Sequence, residues 1–118
     1  MNILVVDDEL VICSGCKLIL EDQGHIVDTC MTCSDGIAAV KKSCYDLILL
    51  DLKLPDQEGT ELLRVAGQNS RNRIIVMSGY ATVQSAVNSM KLGAIDYLPK
   101  PFTADELLTV VKKAQCVS

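Results

Sequence analysis

Apolar and polar positions alternate along the chain in two distinct rhythms. Ile3-Leu4-Val5-Val6, Leu47-Ile48-Leu49-Leu50 and Ile74-Ile75-Val76-Met77 are short continuous apolar runs. Runs of this kind are strands buried on both faces. A weaker strand covers 26–30 and a shorter fifth one covers 95–98. Between the strands the apolar residues recur at helical spacing. The pattern predicts helices over about 8–23, stopped by Gly24; from a Ser34 cap through Ile37, Ala38, Ala39 and Val40; over 58–68, behind a loop marked by Pro55 and Gly59; and over 82–92, ended by Gly93. The final helix, 103–116, has the clearest start. Thr103-x-x-Glu106 is a capping box, and Leu107, Leu108, Val111 and Ala114 follow at helical spacing. Five strands alternating with five helices imply right-handed crossovers and a parallel, doubly wound α/β sheet. The pattern does not fix the strand order.

The chain has 118 residues, enough for one domain with its own core, so 1–118 is read as a single domain. No stretch approaches the ~20 apolar residues of a membrane span. The opening residues lack the basic start and long apolar core of a signal peptide, so a cytoplasmic location and no membrane partner are expected. The formal net charge of −4 argues against a direct grip on nucleic acid and leaves room for cations or basic partner surfaces.

Ligands of open α/β sheets bind beyond the carboxyl ends of the strands. Those ends carry Asp7-Asp8, Asp51, Ser78 and, just past the fifth strand, Lys100. Three carboxylates gathered at one edge need a counter-charge. A hydrated Mg²⁺ held by one or two of them, together with a phosphate, would supply it. Lys100 would add a point charge and Ser78 a hydrogen-bond donor. Singly, each residue has a plainer role: Asp7 or Asp8 as a helix cap, Asp51 as a loop start, Lys100 as a solvated cation. Together at strand ends they point to phosphoryl chemistry.

Four segments in order, Val5-Val6-Asp7-Asp8-Glu9, Asp51-Leu52-Lys53-Leu54-Pro55-Asp56 with Gly59, Met77-Ser78-Gly79-Tyr80, and Asp96 to Phe102 through Pro99-Lys100-Pro101, resemble the receiver domain of two-component response regulators. The stretch 78–107 is most similar to receivers attached to sigma-54-dependent activators. The resemblance implies a flavodoxin-like (βα)5 fold with strand order 2-1-3-4-5. It implies that Asp51 accepts a phosphoryl group from a sensor histidine kinase, with Mg²⁺ held by Asp7, Asp8, Asp51 and the Lys53 carbonyl. Ser78 and Lys100 would contact the phosphoryl oxygens, Ser78 and Tyr97 would act as switch residues, and the Lys100–Pro101 bond would be cis. The face formed by 82–92, 95–98 and 103–116 would carry the output and a possible homodimer contact, with the output domain either cut away or a separate partner. Lys53 and Tyr80 would flank the path of the attacking water. A long cation and a bulky ring there are expected to lengthen the phosphoryl lifetime relative to a Lys53→Asn, Tyr80→Glu variant.

Two other classes compete. An aspartyl phosphohydrolase of the haloacid-dehalogenase type wants a second Asp two residues after the nucleophile, where this chain has Lys53. A degenerate, binding-only receiver would lack one of the acids, the hydroxyl or the lysine, and all are present. The six cysteines include two CxxC pairs, Cys13/Cys16 and Cys30/Cys33, a spacing that zinc sites use. Cys13 and Cys16 fall mid-helix, expected to face different parts of its surface, and Cys33 just before a helix. Reduced, hydrophobe-like thiols are therefore the reading. His25 is read as an exposed connector residue, Asp56 and Glu58 as loop and helix-start residues, and Met77 and Met90 as core or switch-face packing residues.

Overall fold

The structure is a computed structural model and describes residues 1–68, 72–79 and 82–116. The strands are β1 (Asn2–Val6), β2 (Ile26–Cys30), β3 (Leu47–Asp51), β4 (Arg73–Ser78) and β5 (Asp96–Pro99). The helices are α1 (Leu10–Asp22), α2 (Cys33–Lys42), α3 (Thr60–Gly67), α4 (Val83–Lys91) and α5 (Ala104–Cys116). The strands form one parallel sheet in the order β2-β1-β3-β4-β5. This is the flavodoxin-like order. The chain reverses its direction of winding between β1 and β3, so the crevice at their carboxyl ends is the natural ligand position.

The pleat sorts each strand's residues onto two cores. Ile3, Val5, Leu47, Leu49, Ile75 and Met77 pack with α1 and α5 through Cys13, Cys16, Leu20, Leu107 and Val111. Their strand neighbours Leu4, Val6, Ile48, Leu50, Ile74 and Val76 pack on the opposite face with Cys33 of α2 and Leu62, Leu63 and Ala66 of α3. Burial on both faces is why the central strands read as unbroken apolar runs.

The element ends depart from the sequence pattern for local reasons. Helix α1 starts at Leu10 rather than at residue 8, because Asp7 and Asp8 finish the strand end and the Glu9 N–H donates to Asp7 Oδ1 at 2.8 Å. The cap of α2 is Thr32, not Ser34. The Thr32 hydroxyl accepts from the Asp35 N–H at 3.1 Å, while Ser34 lies inside the first turn. Helix α3 begins at Thr60 rather than 58, because Glu58 is drawn into a bridge with Lys53 and the Gly59 N–H donates to the Leu52 carbonyl at 2.8 Å. The capping box of α5 forms in both directions, Thr103 N–H to Glu106 Oε1 at 3.0 Å and Glu106 N–H to Thr103 Oγ1 at 3.1 Å. Gly24 and Gly93 close α1 and α4 with φ of +88° and +111°, a region that L side chains rarely adopt.

The cysteines do not face as the sequence suggested. Cys13 and Cys16, three residues apart, share one buried face of α1. Cys33 is the first residue of α2 and is buried on the other side of the sheet, with Cys30 packed against that cluster. The sheet therefore separates the two CxxC pairs, and no tetrahedron of their four thiolates can form. His25 is half-buried rather than exposed, with Nδ1 3.0 Å from the Met1 amino group. Burial, then that positive charge, lowers its pKa. Met77 is fully buried in the core, whereas Met90 is largely exposed.

Candidate functional site

Four strands deliver the site. β1 ends into Asp7, which is fully buried, and Asp8, which is exposed. β3 ends in Asp51, only 4% exposed, and β4 ends in Ser78, also buried. In the ladder Asp51 pairs with Met77, so Ser78 stands one residue further along the adjacent strand. Lys100 follows β5. Its backbone N–H donates to the Ser78 carbonyl at 2.8 Å, and its bond to Pro101 is cis.

The lysine joins the acids. Lys100 Nζ lies 2.6 Å from Asp7 Oδ2, 2.9 Å from Asp51 Oδ2 and 3.7 Å from Glu9 Oε1. Burial alone would lower the pKa of this amine, but its close contacts with the Asp7 and Asp51 carboxylates outweigh that and hold it above the ordinary value. Burial raises the pKa of Asp7. Lys100 and the Glu9 N–H pull it the other way, and the charge of Asp51 raises it again. Asp51 Oδ1 accepts from the Lys53 N–H at 3.0 Å, which folds the start of the following loop over the carboxylate.

The carboxylate oxygens of Asp7, Asp8 and Asp51 lie within 4.8 Å of one another. Among the described residues this is the one cluster of acids, histidines or cysteines close enough to hold a metal ion. Lys100 contacts two of these three carboxylates, those of Asp7 and Asp51. The buried Oδ2 of Asp7 has that ion-pair contact but no aligned hydrogen-bond donor. An all-oxygen donor set with surplus negative charge suits a hard divalent cation. Asp8, Glu9, Asp51, Lys53, Gly79 and Lys100 line a cavity of about 210 Å³ over these groups. A larger hollow of about 320 Å³, lined by Gln23, His25 and residues of α5, contains none of them.

Tyr97 does not enter this pocket. It lies on β5, half-buried, with its hydroxyl 3.0 Å from Ser85 Oγ on α4. Ser85 also completes a capping box with Thr82, a feature hidden in the sequence because Ser replaces the usual Glu or Gln at that position. Tyr80 lies outside the described residues. Three participants escaped the sequence reading. Glu9 was visible only as the third acid of its run. The Cys13 thiol donates to the Asp7 carbonyl at 3.2 Å. Asp56 reaches across to α2, with Oδ1 accepting from the Cys33 N–H at 2.9 Å and Oδ2 from the Ser34 N–H at 2.9 Å and the Ser34 hydroxyl at 2.8 Å.

A doubly wound parallel sheet with three acids and a lysine meeting at its switch point defines an α/β domain with a site suited to phosphoryl and cation chemistry. The family model of the response regulator receiver domain matches residues 3–112, and the chain belongs to that family. It is 38% identical over 113 residues to the transcriptional regulatory protein DltR of Streptococcus agalactiae, covering 95% of this chain and 50% of that protein. The chain thus spans about half the length of such curated relatives. Among solved structures, a CheY-like receiver domain protein from Methanospirillum hungatei superposes with a TM-score of 0.89 at 37% identity, covering 95% of this chain and 90% of that one. NtrX from Brucella abortus gives 0.87 at 34% identity, covering 96% of this chain and 26% of that one.

Proposed function

We propose that this receiver domain accepts a phosphoryl group on Asp51 from a sensor histidine kinase, in a reaction that depends on Mg²⁺, and passes the change to an output module through its α4-β5-α5 face. The observation that carries this reading is the placement of Asp51, at the end of a central strand, opening onto the acidic pocket and paired with Lys100 at 2.9 Å. A carboxylate oxygen of Asp51 would attack the phosphorus of phosphohistidine. The new O–P bond forms as the P–N bond breaks, and the electron pair leaves on the imidazole nitrogen, which takes a proton. Such transfer needs in-line positioning and charge neutralisation more than covalent help.

Asp7, Asp8, Asp51 and the Lys53 carbonyl would hold Mg²⁺, which when bound would neutralise charge on the transferring oxygens. Lys100, already fixed beside Asp51, would pair with a phosphoryl oxygen. Ser78 would donate to another, and Tyr97 would report the change to α4. Similarity to named transcriptional regulators supports a role in transcription control, and the NtrX likeness supports the sigma-54 activator type. The output domain or partner, a homodimer through α4-β5-α5 and a cytoplasmic setting belong to the same proposal. Among the described residues no helix is long and apolar enough to cross a membrane.

The test is incubation with Mg²⁺ and a small-molecule phosphodonor, followed by intact mass. One phosphoryl adduct is expected, absent in Asp51→Asn and absent without Mg²⁺. No adduct under conditions that label a control receiver would refute the assignment.

A further inference from the structure

The loop after Asp51 is tied at both of its ends. At its base the Gly59 N–H donates to the Leu52 carbonyl at 2.8 Å, and Lys53 bridges Glu58 in antiparallel fashion. At its tip Asp56 spends both carboxylate oxygens on the first turn of α2, taking the amides of Cys33 and Ser34 and the Ser34 hydroxyl at 2.8–2.9 Å. Helix α2 is a firm anchor. Cys33 is fully buried, and Gly36 sits so close to Leu62 that an added Cβ would lie 2.8 Å from its side chain. The helix already has its own cap, since Thr32 serves the Asp35 amide. The first-turn amides that Thr32 leaves open are therefore met from a loop more than twenty residues away in sequence.

A helix needs a nearby acceptor for these amides, not a distant one. What the distant carboxylate adds is a fixed position for the loop. That loop carries Lys53, whose N–H holds Asp51 Oδ1 at 3.0 Å and whose residue lines the pocket. We infer that Asp56 is a positioning residue for the cation site, acting through the loop that presents Lys53 rather than by touching the ion. This inference rests on the Mg²⁺ site of the proposed function. The amides at the start of α2 hold the Asp56 carboxyl at about 2, so the clamp is ionised throughout the neutral range.

The experiment compares Mg²⁺ affinity, by calorimetric titration without any phosphodonor, in wild type, Asp56→Ala, Asp56→Asn and Thr32→Ala, at a temperature where all are folded. Asp56→Ala is expected to weaken binding about tenfold, the lower end for residues that orient metal ligands. Asp56→Asn, which keeps one acceptor oxygen, should recover part of the loss. Thr32→Ala removes the helix's own cap and should lower the melting temperature while leaving Mg²⁺ affinity intact. Amide exchange without metal provides a second readout: Lys53 and Gly59 should exchange faster in Asp56→Ala and not in Thr32→Ala. Wild-type affinity in Asp56→Ala, or an equal loss in Thr32→Ala, would overturn the positioning role alone. Wild type that binds no Mg²⁺ would overturn the cation site and this inference together.

Discussion

Lys100 Nζ stands between two carboxylates that belong to different strands, 2.9 Å from Asp51 and 2.6 Å from Asp7. Its side chain is only 9% exposed, so the pair interactions are poorly screened by solvent. The amine's pKa lies above its ordinary value of 10.5. Its contribution to stability is therefore present through the neutral range and lost only as strongly alkaline pH titrates it. Lys100→Met leaves Asp7 and Asp51 facing each other without a counter-charge. We expect a loss of roughly 2–3 kcal/mol near pH 8, somewhat below the usual cost of breaking a buried pair because Asp7 can take up a proton. Burial already raises the Asp7 pKa, and removing Lys100 raises it further. A carboxyl whose folded pKa is raised favours the folded state as pH falls. The gap to wild type should thus narrow from about pH 8 toward pH 5, and Mg²⁺ should narrow it too. Urea denaturation across that pH range decides the matter; a gap that widens on acidification would contradict the assignment of charges.

Gly59 is required by proximity rather than by an unusual backbone angle, since its φ is −66°. A Cβ there would lie 2.5 Å from the Asp51 carbonyl oxygen and 3.0 Å from the Leu52 Cα. Both neighbours are backbone and cannot swing aside as a flexible side chain would. Gly59→Ala should therefore cost about 1–3 kcal/mol and displace the loop start beside Asp51. Chemical denaturation should report the first effect, and altered Lys53 and Asp51 amide shifts the second. A variant of wild-type stability with unmoved shifts would mean the loop relaxes freely.

The Tyr97 and Ser85 hydroxyls meet at 3.0 Å, and Ser85 also caps α4 with Thr82. The β5 ring is thereby tied to the first turn of the helix beside it. The Ser85→Ala change alone removes more than this contact, because it also loses the cap. A double-mutant cycle with Tyr97→Phe isolates the pair. The expected coupling is ~0.5 kcal/mol, suited to one neutral, partly solvated hydrogen bond. A coupling indistinguishable from zero would show that the ring and the helix move independently.

The strands and the gathering of acids and lysine at their carboxyl edge were legible in the sequence because both rest on short-range rules. Leu47 to Leu50, short and placed between two helical patterns, reads as a strand buried on two faces, which puts Asp51 at its carboxyl edge. The helix starts were less legible. Ser34 and Thr32 are both good caps, but Thr32 takes the Asp35 amide while the Ser34 hydroxyl and amide go to Asp56 of the loop after β3. No local pattern marks a contact between residues so distant in sequence. The CxxC spacing shows the same limit, although the helix and strand positions of the cysteines already argued against a zinc site. It suggested a shared purpose for four thiols, but the register of the sheet puts one pair on each face.

The thiols differ enough in surroundings for their reactivity to be ordered. Burial, with the charge of Asp7 adding to it, pushes the Cys16 thiol up to about 12. Burial likewise raises Cys13, Cys30 and Cys33. Thiolate is the reactive form, so these four are slow on two counts, access and ionisation. Cys44 and Cys116 are exposed. Brief treatment of the native protein with iodoacetamide near pH 8, read by intact mass and peptide mapping, should label Cys44 and Cys116 first. Half-buried Cys30 should follow, and Cys13, Cys16 and Cys33 should react only when denaturant opens the domain. Because the Cys13 thiol donates to the Asp7 carbonyl at the floor of the acid pocket, its labelling rate also reports opening of the site itself. If the site opens only with the whole fold, Cys13 and Cys16 should become reactive at the same denaturant concentration. Labelling of Cys13 well before Cys16 would place the acid pocket in a region that opens independently of the core.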